Sequence, residues 1–271
     1  MQIKGLLHNF KIPKIMGILN LTPDSFYDGG RFQSEASALK QTEIMLKEGA
    51  DFIDVGAMSS RPGSKTLTVD QEKQRLFHIL ESLLNEFPSD CFSVDTFYSA
   101  IAKESIEMGV SIINDISAGQ ADPEMFAIVG QLKATYVMMH KQGQPKNMQN
   151  NPHYENVISE ILTFFSEQKI LAEQAGITDL IIDPGFGFGK TLSHNYKILN
   201  NLNAFQSLNL PVMVGVSRKS MIYKALSIQP EEALNGTTVL HTKALLEGAD
   251  LLRVHDVKAA KECIELVGLM Q

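Results

Sequence analysis

Eight short apolar runs, most of them closing on a hydrogen-bonding side chain, recur along this chain with longer amphipathic stretches between them. They read KIMGILN (14–20), DFIDVGA (51–57), CFSVDTF (91–97), VSIINDISAG (110–119), ATYVMMH (134–140), DLIIDPG (179–185), PVMVGVS (211–217) and DLLRVHD (250–256). Runs so nearly uninterrupted mark strands covered on both faces, as in a parallel sheet. The segments between them predict helices over 34–50, 69–86, 98–108, 123–132, 153–175, 193–206, 230–247 and 257–268. Eight such units close most naturally into a (β/α)8 TIM barrel, the alternative being a doubly wound open sheet.

A barrel of this kind takes about 200 to 250 residues as one domain, so a single domain over 1–271 is expected. No linker divides the chain. The longest polar stretch, KQGQPKNMQNNPHYEN (141–156), lies between a strand and a helix and reads as a loop or lid. EGAD occurs at 48–51 and again at 247–250, each time placing glycine where a helix ends before a strand.

Composition narrows the function. A hydrophobic fraction of 44% with 20% charged residues is that of a folded globular chain, not of a disordered one. The net charge of -7 argues against general attraction to nucleic acid or to an anionic membrane, while leaving room for a local basic pocket. Cys91 and Cys263 form neither a disulfide framework nor a zinc-ligand pattern, which fits a reducing, cytoplasmic setting. No run of about 18 apolar residues and no signal-like N-terminus is found, so a soluble protein without a targeting segment is expected.

In this architecture the chemistry stands at the C-terminal ends of the strands. Those ends read Asn20, Asp54, Asp95, Asn114 with Asp115, His140, Asp183, Ser217, and Arg253 with His255 and Asp256. Any one of them could merely stop a strand or cap a helix. Their convergence on one rim is what points to a site. Asp95, Asn114 and Asp183 offer the acceptors and amide that would read a flat heterocycle bearing an amino group and ring N–H donors. Lys219, Arg253 and His255 add positive charge where this fold commonly binds phosphate. A structural ion pair for Arg253 and a core role for His255 are the competing readings. Two loops, GILNLTPDSFYDGG (17–30) with Phe26 and Tyr27, and MSSRPGS (58–64) with Arg61 and Pro62, are placed to close over such a site.

DLIIDPGFGFGKT (179–191) imitates a nucleotide-binding loop without being one. A phosphate loop needs glycine where Pro184 stands, and Gly185, Gly187 and Gly189 follow a G-x-G-x-G spacing instead of the dinucleotide fingerprint.

At these residues the chain resembles the dihydropteroate synthase family. GILNLTPDSFYDGG, SSRPG, SVDT, INDISAG, IIDPGFGFGKT, GVSRKS and NGTTVLHTKALLEGADLLRVHDV are similar to that family's signatures, in the same order and over nearly the whole chain. The resemblance implies a (β/α)8 barrel that joins 6-hydroxymethyl-7,8-dihydropterin diphosphate to p-aminobenzoate, releasing diphosphate and 7,8-dihydropteroate in folate biosynthesis. It also implies a sulfonamide target and a homodimer built through outer helices of the C-terminal half. Asp95, Asn114, Asp183 and Lys219 match the family's pterin-binding set. Asn20, Arg253 and His255 match its diphosphate site, with Asn20 also a magnesium ligand. Ser60, Arg61, Pro62, Ser217 and Lys219 match positions around p-aminobenzoate, with Phe188 on its apolar wall. Asn20, Lys219, Arg253 and His255 are accordingly the expected catalytic set. The chain departs from the family in carrying Met58-Ser59-Ser60 where Glu-Ser-Thr is frequent, and Tyr223 where glycine is frequent. The rival readings are a methyltetrahydrofolate-dependent methyltransferase serving a corrinoid, which has no use for a diphosphate site, and a noncatalytic pterin-binding subunit.

Overall fold

The structure, a computed structural model, describes residues 2–3, 6–7, 10–21, 30–58, 66–143, 148 and 152–270, with 2–3, 6–7 and 30–34 described by backbone alone. Phe26, Tyr27, Ser60, Arg61 and Pro62 lie outside the described residues. After a short antiparallel pair, Gln2–Ile3 with Leu6–Leu7, the chain alternates strands and helices. The strands are β1 (Lys14–Asn20), β2 (Phe52–Gly56), β3 (Phe92–Asp95), β4 (Ile112–Asp115), β5 (Thr135–Met139), β6 (Leu180–Asp183), β7 (Met213–Val214) and β8 (Leu251–Val254). The helices are α1 (Gly30–Lys47), α2 (Val69–Glu86), α3 (Ser99–Met108), α4 (Met125–Leu132), α5 (Val157–Gln174), α6 (Leu192–Asn200), α7 (Ser220–Leu226), α8 (Leu234–Leu246) and α9 (Val257–Gly268).

The strands are parallel in the order β6-β5-β4-β3-β2-β1-β8-β7, and a parallel bridge between Ile182 and Val212 links the two ends. The result is the barrel expected from the sequence. Alternation along each strand then sorts the side chains. Met16, Phe52, Ile112, Val137, Ile181, Met213 and Leu251 form a cluster inside the barrel, with Phe10 packed against it. Their immediate neighbours along the strands, such as Ile15, Ile53, Ile113, Tyr136, Ile182 and Leu252, join the larger core beneath the helices. Two residues beyond Phe52, Ile112, Ile181 and Leu251 stand Asp54, Asn114, Asp183 and Arg253. The same inward face is therefore apolar at the bottom of the barrel and polar at its C-terminal end.

Local chemistry sets the boundaries. Thr68 and Gln71 form a capping box that starts α2, and Asn156 accepts from Ile158 N and Ser159 N at the start of α5, later than the 153 read from periodicity. The helix expected over 193–206 breaks at Asn201, whose side chain donates back to Lys197 O at 2.8 Å, and a 3-10 turn over Leu202–Leu208 follows. The strand expected over 211–217 keeps two ladder residues. The two EGAD turns share more than glycine: Gly49 and Gly248 have φ of 101° and 89°. Each aspartate then reaches a neighbouring strand, Asp51 accepting from Ile15 N at 2.9 Å and Asp250 from Val212 N at 2.8 Å. The helix α7, only two turns long, lies outside the helices predicted from periodicity. Tyr223, where the family often has glycine, sits on it and packs against the core.

Candidate active site

The polar end of the barrel is organised around Asp54, a wholly buried carboxylate. Ser93 Oγ donates to its Oδ1 at 2.6 Å, while Oδ2 accepts from Asn114 Nδ2 at 2.9 Å and from Arg253 Nε at 2.7 Å. Arg253 also donates through Nη2 to Asp95 Oδ2 at 2.9 Å. Asp54 was visible as a strand end but not as a member of the site. It is the residue that fixes the rotamers of two others. Its own charge is compensated by the guanidinium and two further donors, as a buried carboxylate requires.

Asp95 and Asp183 differ from ordinary carboxylates. Burial raises the Asp95 carboxyl, Arg253 opposes the rise, and Asp54, Glu72 and Asp115 reinforce it. Burial likewise raises Asp183, opposed first by Lys219 and by the hydrogen bond from Gly185 N to its Oδ1 at 2.7 Å. Both are held as acceptors whose proton affinity responds to the surrounding cations.

Lys219 stands at the start of α7, with backbone φ -77° and ψ 160°. Its Nζ donates to Phe186 O at 2.7 Å and lies 4.9 Å from the centroid of the Phe188 ring. Burial pushes its ammonium down to about 8, against the pull of Asp183. Gly215 lies beneath: a Cβ there would fall 3.6 Å from Lys219 Nζ and 3.9 Å from Asp183 Oδ2. These distances place Lys219, Asp183 and Arg253 around one small floor. Arg218, just before it, adopts the left-handed region at φ 52° and is bound by Asp256 through Nε at 2.8 Å and Nη2 at 2.9 Å. That clamp ties the turn after β7 to the end of β8.

His255 and Ser217 are joined as well. Ser217 Oγ accepts from His255 N at 3.2 Å and lies 3.2 Å from Nδ1. Burial first, then Arg253, lowers the imidazole below its usual range even though part of the residue is open at the rim. A neutral ring accepts the Ser217 hydroxyl proton at Nδ1 and leaves Nε2–H as donor. Asn20 ends β1, half-buried, paired in register with Gly56 of β2.

The structure thus brings together Asp95, Asn114, Asp183, Lys219, Arg253, Ser217, His255 and Phe188. Asp115 proves to be a capping group. It accepts from Ser117 N, Ser117 Oγ, Gly119 N and the Tyr136 hydroxyl, and it faces away from the barrel interior. Arg253 fulfils the ion-pair reading and stays in the site, since neither of its bonds to Asp54 and Asp95 uses Nη1. Among the described residues no group of three or more His, Cys, Asp and Glu could cage a metal ion. The Asn20 amide oxygen is a hard donor of the kind magnesium accepts, and magnesium is commonly held by one or two protein ligands together with substrate phosphates.

Known proteins match this chain along its length. A family model described as pterin binding enzyme matches residues 16–255. The dihydropteroate synthase of Escherichia coli (strain K12) is 43% identical over 94% of this chain and 90% of its own length. That of Haemophilus influenzae is 41% identical over 95% of this chain and 94% of its own. Among solved structures, the Yersinia pestis dihydropteroate synthase with a sulfonamide drug complex superposes with a TM-score of 0.93 at 38% identity, covering 100% of this chain and 98% of that one. The Xanthomonas albilineans dihydropteroate synthase with 4-aminobenzoic acid gives 0.91 at 35% identity, covering 98% and 96%.

Proposed function

This chain belongs to the pterin-binding enzymes and, among them, to the dihydropteroate synthases, and from that premise we propose how its residues divide the reaction. The enzyme condenses 6-hydroxymethyl-7,8-dihydropterin diphosphate with p-aminobenzoate. Asp95 and Asp183 accept from the amino group and ring N–H of the pterin. Asn114, whose Nδ2 is committed to Asp54, offers its carbonyl oxygen. Lys219 donates to the acceptor side of the ring. The observation that carries this reading is the junction of Arg253 with both Asp54 and Asp95, which binds the ring-reading floor directly to the cationic rim.

At that rim Arg253 Nη1, His255 Nε2–H and Asn20 hold the diphosphate. Magnesium bound by Asn20 and the phosphate oxygens would neutralise charge on the leaving group. The C–O bond breaks first, its electron pair departing with diphosphate, and the dihydropterin ring delocalises the positive charge left on the methylene carbon. The arylamine lone pair then forms the C–N bond and the amine gives up a proton. Phe188 and Lys219 supply one side of the p-aminobenzoate pocket, and the backbone at the start of α7 takes its carboxylate together with the Ser217 hydroxyl, whose proton turns from His255 Nδ1 to the carboxylate when the substrate binds. Ser60, Arg61 and Pro62 complete the pocket in this reading. No covalent enzyme intermediate is needed, so fixed electrostatics provides most of the rate enhancement.

We assign the chain a homodimeric state and a cytoplasmic location. Val239 and Leu246 on α8, Leu266 on α9, and Leu269 and Met270 after it are exposed, which supports an apolar contact on this side. No helix among the described residues is long and apolar enough to cross a membrane. Light scattering of the purified chain should return twice the mass of one chain.

Diphosphate release tests the assignment. It should require the pterin diphosphate, magnesium and p-aminobenzoate together. Tight binding of the pterin diphosphate without turnover would favour the noncatalytic subunit, and methyl transfer to a corrinoid would favour the methyltransferase.

A further inference from the structure

Lys190 is the lysine of the G-K-T sequence that fails as a phosphate loop, and its surroundings assign it another task. It is 2% exposed. Its Nζ donates to Gly185 O at 2.9 Å, Phe188 O at 3.0 Å and His140 O at 3.2 Å, and lies 3.0 Å from His140 Nδ1. With burial and Lys190 both depressing its pKa, His140 is neutral and accepts at Nδ1. Three ammonium protons thus serve four acceptors, and no donor is left for a ligand phosphate.

The turn it holds packs backbone against backbone. A Cβ on Gly185 would lie 1.9 Å from His140 O, and one on Gly189 would lie 2.2 Å from Gln142 O; both residues have positive φ, 71° and 62°. Carbonyls of β5's exit and of the turn are forced together there, and the Lys190 N–H donors offset their mutual repulsion; burial pushes the ammonium down to about 7, against the pull of Asp183. The turn is pinned elsewhere by Tyr154, whose hydroxyl donates to Gly189 O at 2.9 Å, and by Asn195, whose Oδ1 accepts from Gly187 N at 2.7 Å.

We propose that Lys190 is a positioning residue that sets the p-aminobenzoate wall by clamping the carbonyl of Phe188 to those of Gly185 and His140. Resting on the assignment of Phe188 and Lys219 to that pocket, this extends it to a residue touching neither substrate. Asp183 is anchored independently, because the β5–β6 ladder holds it and His140 N donates to its carbonyl at 2.9 Å. Phe188 lies five residues beyond Asp183 and has no such ladder. Its backbone is bound by Phe188 N to Gly185 O at 3.1 Å and by the Lys190 ammonium.

The test compares wild type with Lys190→Met, which keeps the side-chain length and removes the donors. Amide hydrogen exchange should quicken over residues 186–189 and stay unchanged over 180–183. In turnover the KM for p-aminobenzoate should rise about tenfold, while that for the pterin diphosphate stays within about threefold. Unchanged exchange at 186–189, or equal changes in the two KM values, overturns the proposal; a lowered melting temperature with both KM values unchanged does so too. If the methionine variant does not fold, Lys190→Arg is read by the same exchange and KM criteria, with smaller changes in the same direction expected. The exchange result needs no substrate. A wild type that makes no dihydropteroate refutes the functional assignment and with it the substrate half of this proposal, whereas the clamp stands or falls by exchange.

Discussion

Asp54 and Arg253, 199 residues apart in sequence, meet at 2.7 Å in the buried end of the barrel, and the same Asp54 oxygen takes the amide of Asn114. One carboxylate on β2 therefore aims both the amide on β4 proposed to read the pterin and the guanidinium on β8 proposed to bind phosphate. Replacing Asp54 by Asn keeps the shape and removes the charge. The expected outcome is a stability loss of about 3 kcal/mol, since the guanidinium stays buried with half its compensation gone. Denaturant unfolding measures it, and kcat should fall as well because Arg253 loses its fixed rotamer.

Arg253 and His255 are not equivalent at the rim. Arg253 carries a permanent charge, whereas His255 is held neutral and offers one N–H. Arg253→Ala should lower kcat by roughly 100- to 1000-fold, the scale for losing one preorganised electrostatic donor, and His255→Asn by about tenfold. Steady-state diphosphate release compares them; equal losses would contradict the division of labour.

Lys219 should write an alkaline limb into the pH profile. Its ammonium is lowered from 10.5 to about 8 by burial, so the charged form is full below that pH and is lost as pH rises through it. In the proposed pterin site it is the charged form that donates to the ring. The kcat/KM for the pterin diphosphate should therefore fall above pH 8 in wild type and lose this limb in Lys219→Gln.

Glu72 on α2 is wholly buried, and neither carboxylate oxygen has a partner of hydrogen-bond geometry among the described residues. Burial pushes it up from 4.5 to about 7, and the nearby Thr96 hydroxyl offsets only part of this. A carboxyl raised in the folded state binds its proton more tightly than in the unfolded chain. Its contribution is favourable below the unfolded value of 4.5 and is lost as pH rises through about 7. Glu72→Gln should raise the melting temperature at pH 8 by roughly 5 °C and have little effect at pH 5, as a pair of calorimetric scans would show.

The barrel was legible because its strands are continuous apolar runs, and the site because alternation carries an aspartate or asparagine onto the inward face two residues after Phe52, Ile112 and Ile181. What escaped was partnership. Asp54 and Asp115 look alike as strand ends, yet one faces Arg253 across the barrel and the other faces Tyr136 behind it. Counting in twos from the inward Phe52 and Ile112 reaches Asp54 and Asn114 but skips Asp115, so the parity of the strand held the signal. Lys190 gave no sign of turning inward, because its acceptors are backbone carbonyls that no side-chain pattern records. The helix α7 was missed because seven residues are too few for a period to show.

The most direct test is the product formed by the purified chain from 6-hydroxymethyl-7,8-dihydropterin diphosphate, magnesium and p-aminobenzoate isotopically labelled at its amine nitrogen. Mass spectrometry should find dihydropteroate carrying the label, formed with one diphosphate for each product molecule. Diphosphate released without labelled dihydropteroate, or no turnover with the pterin diphosphate bound, would contradict the account.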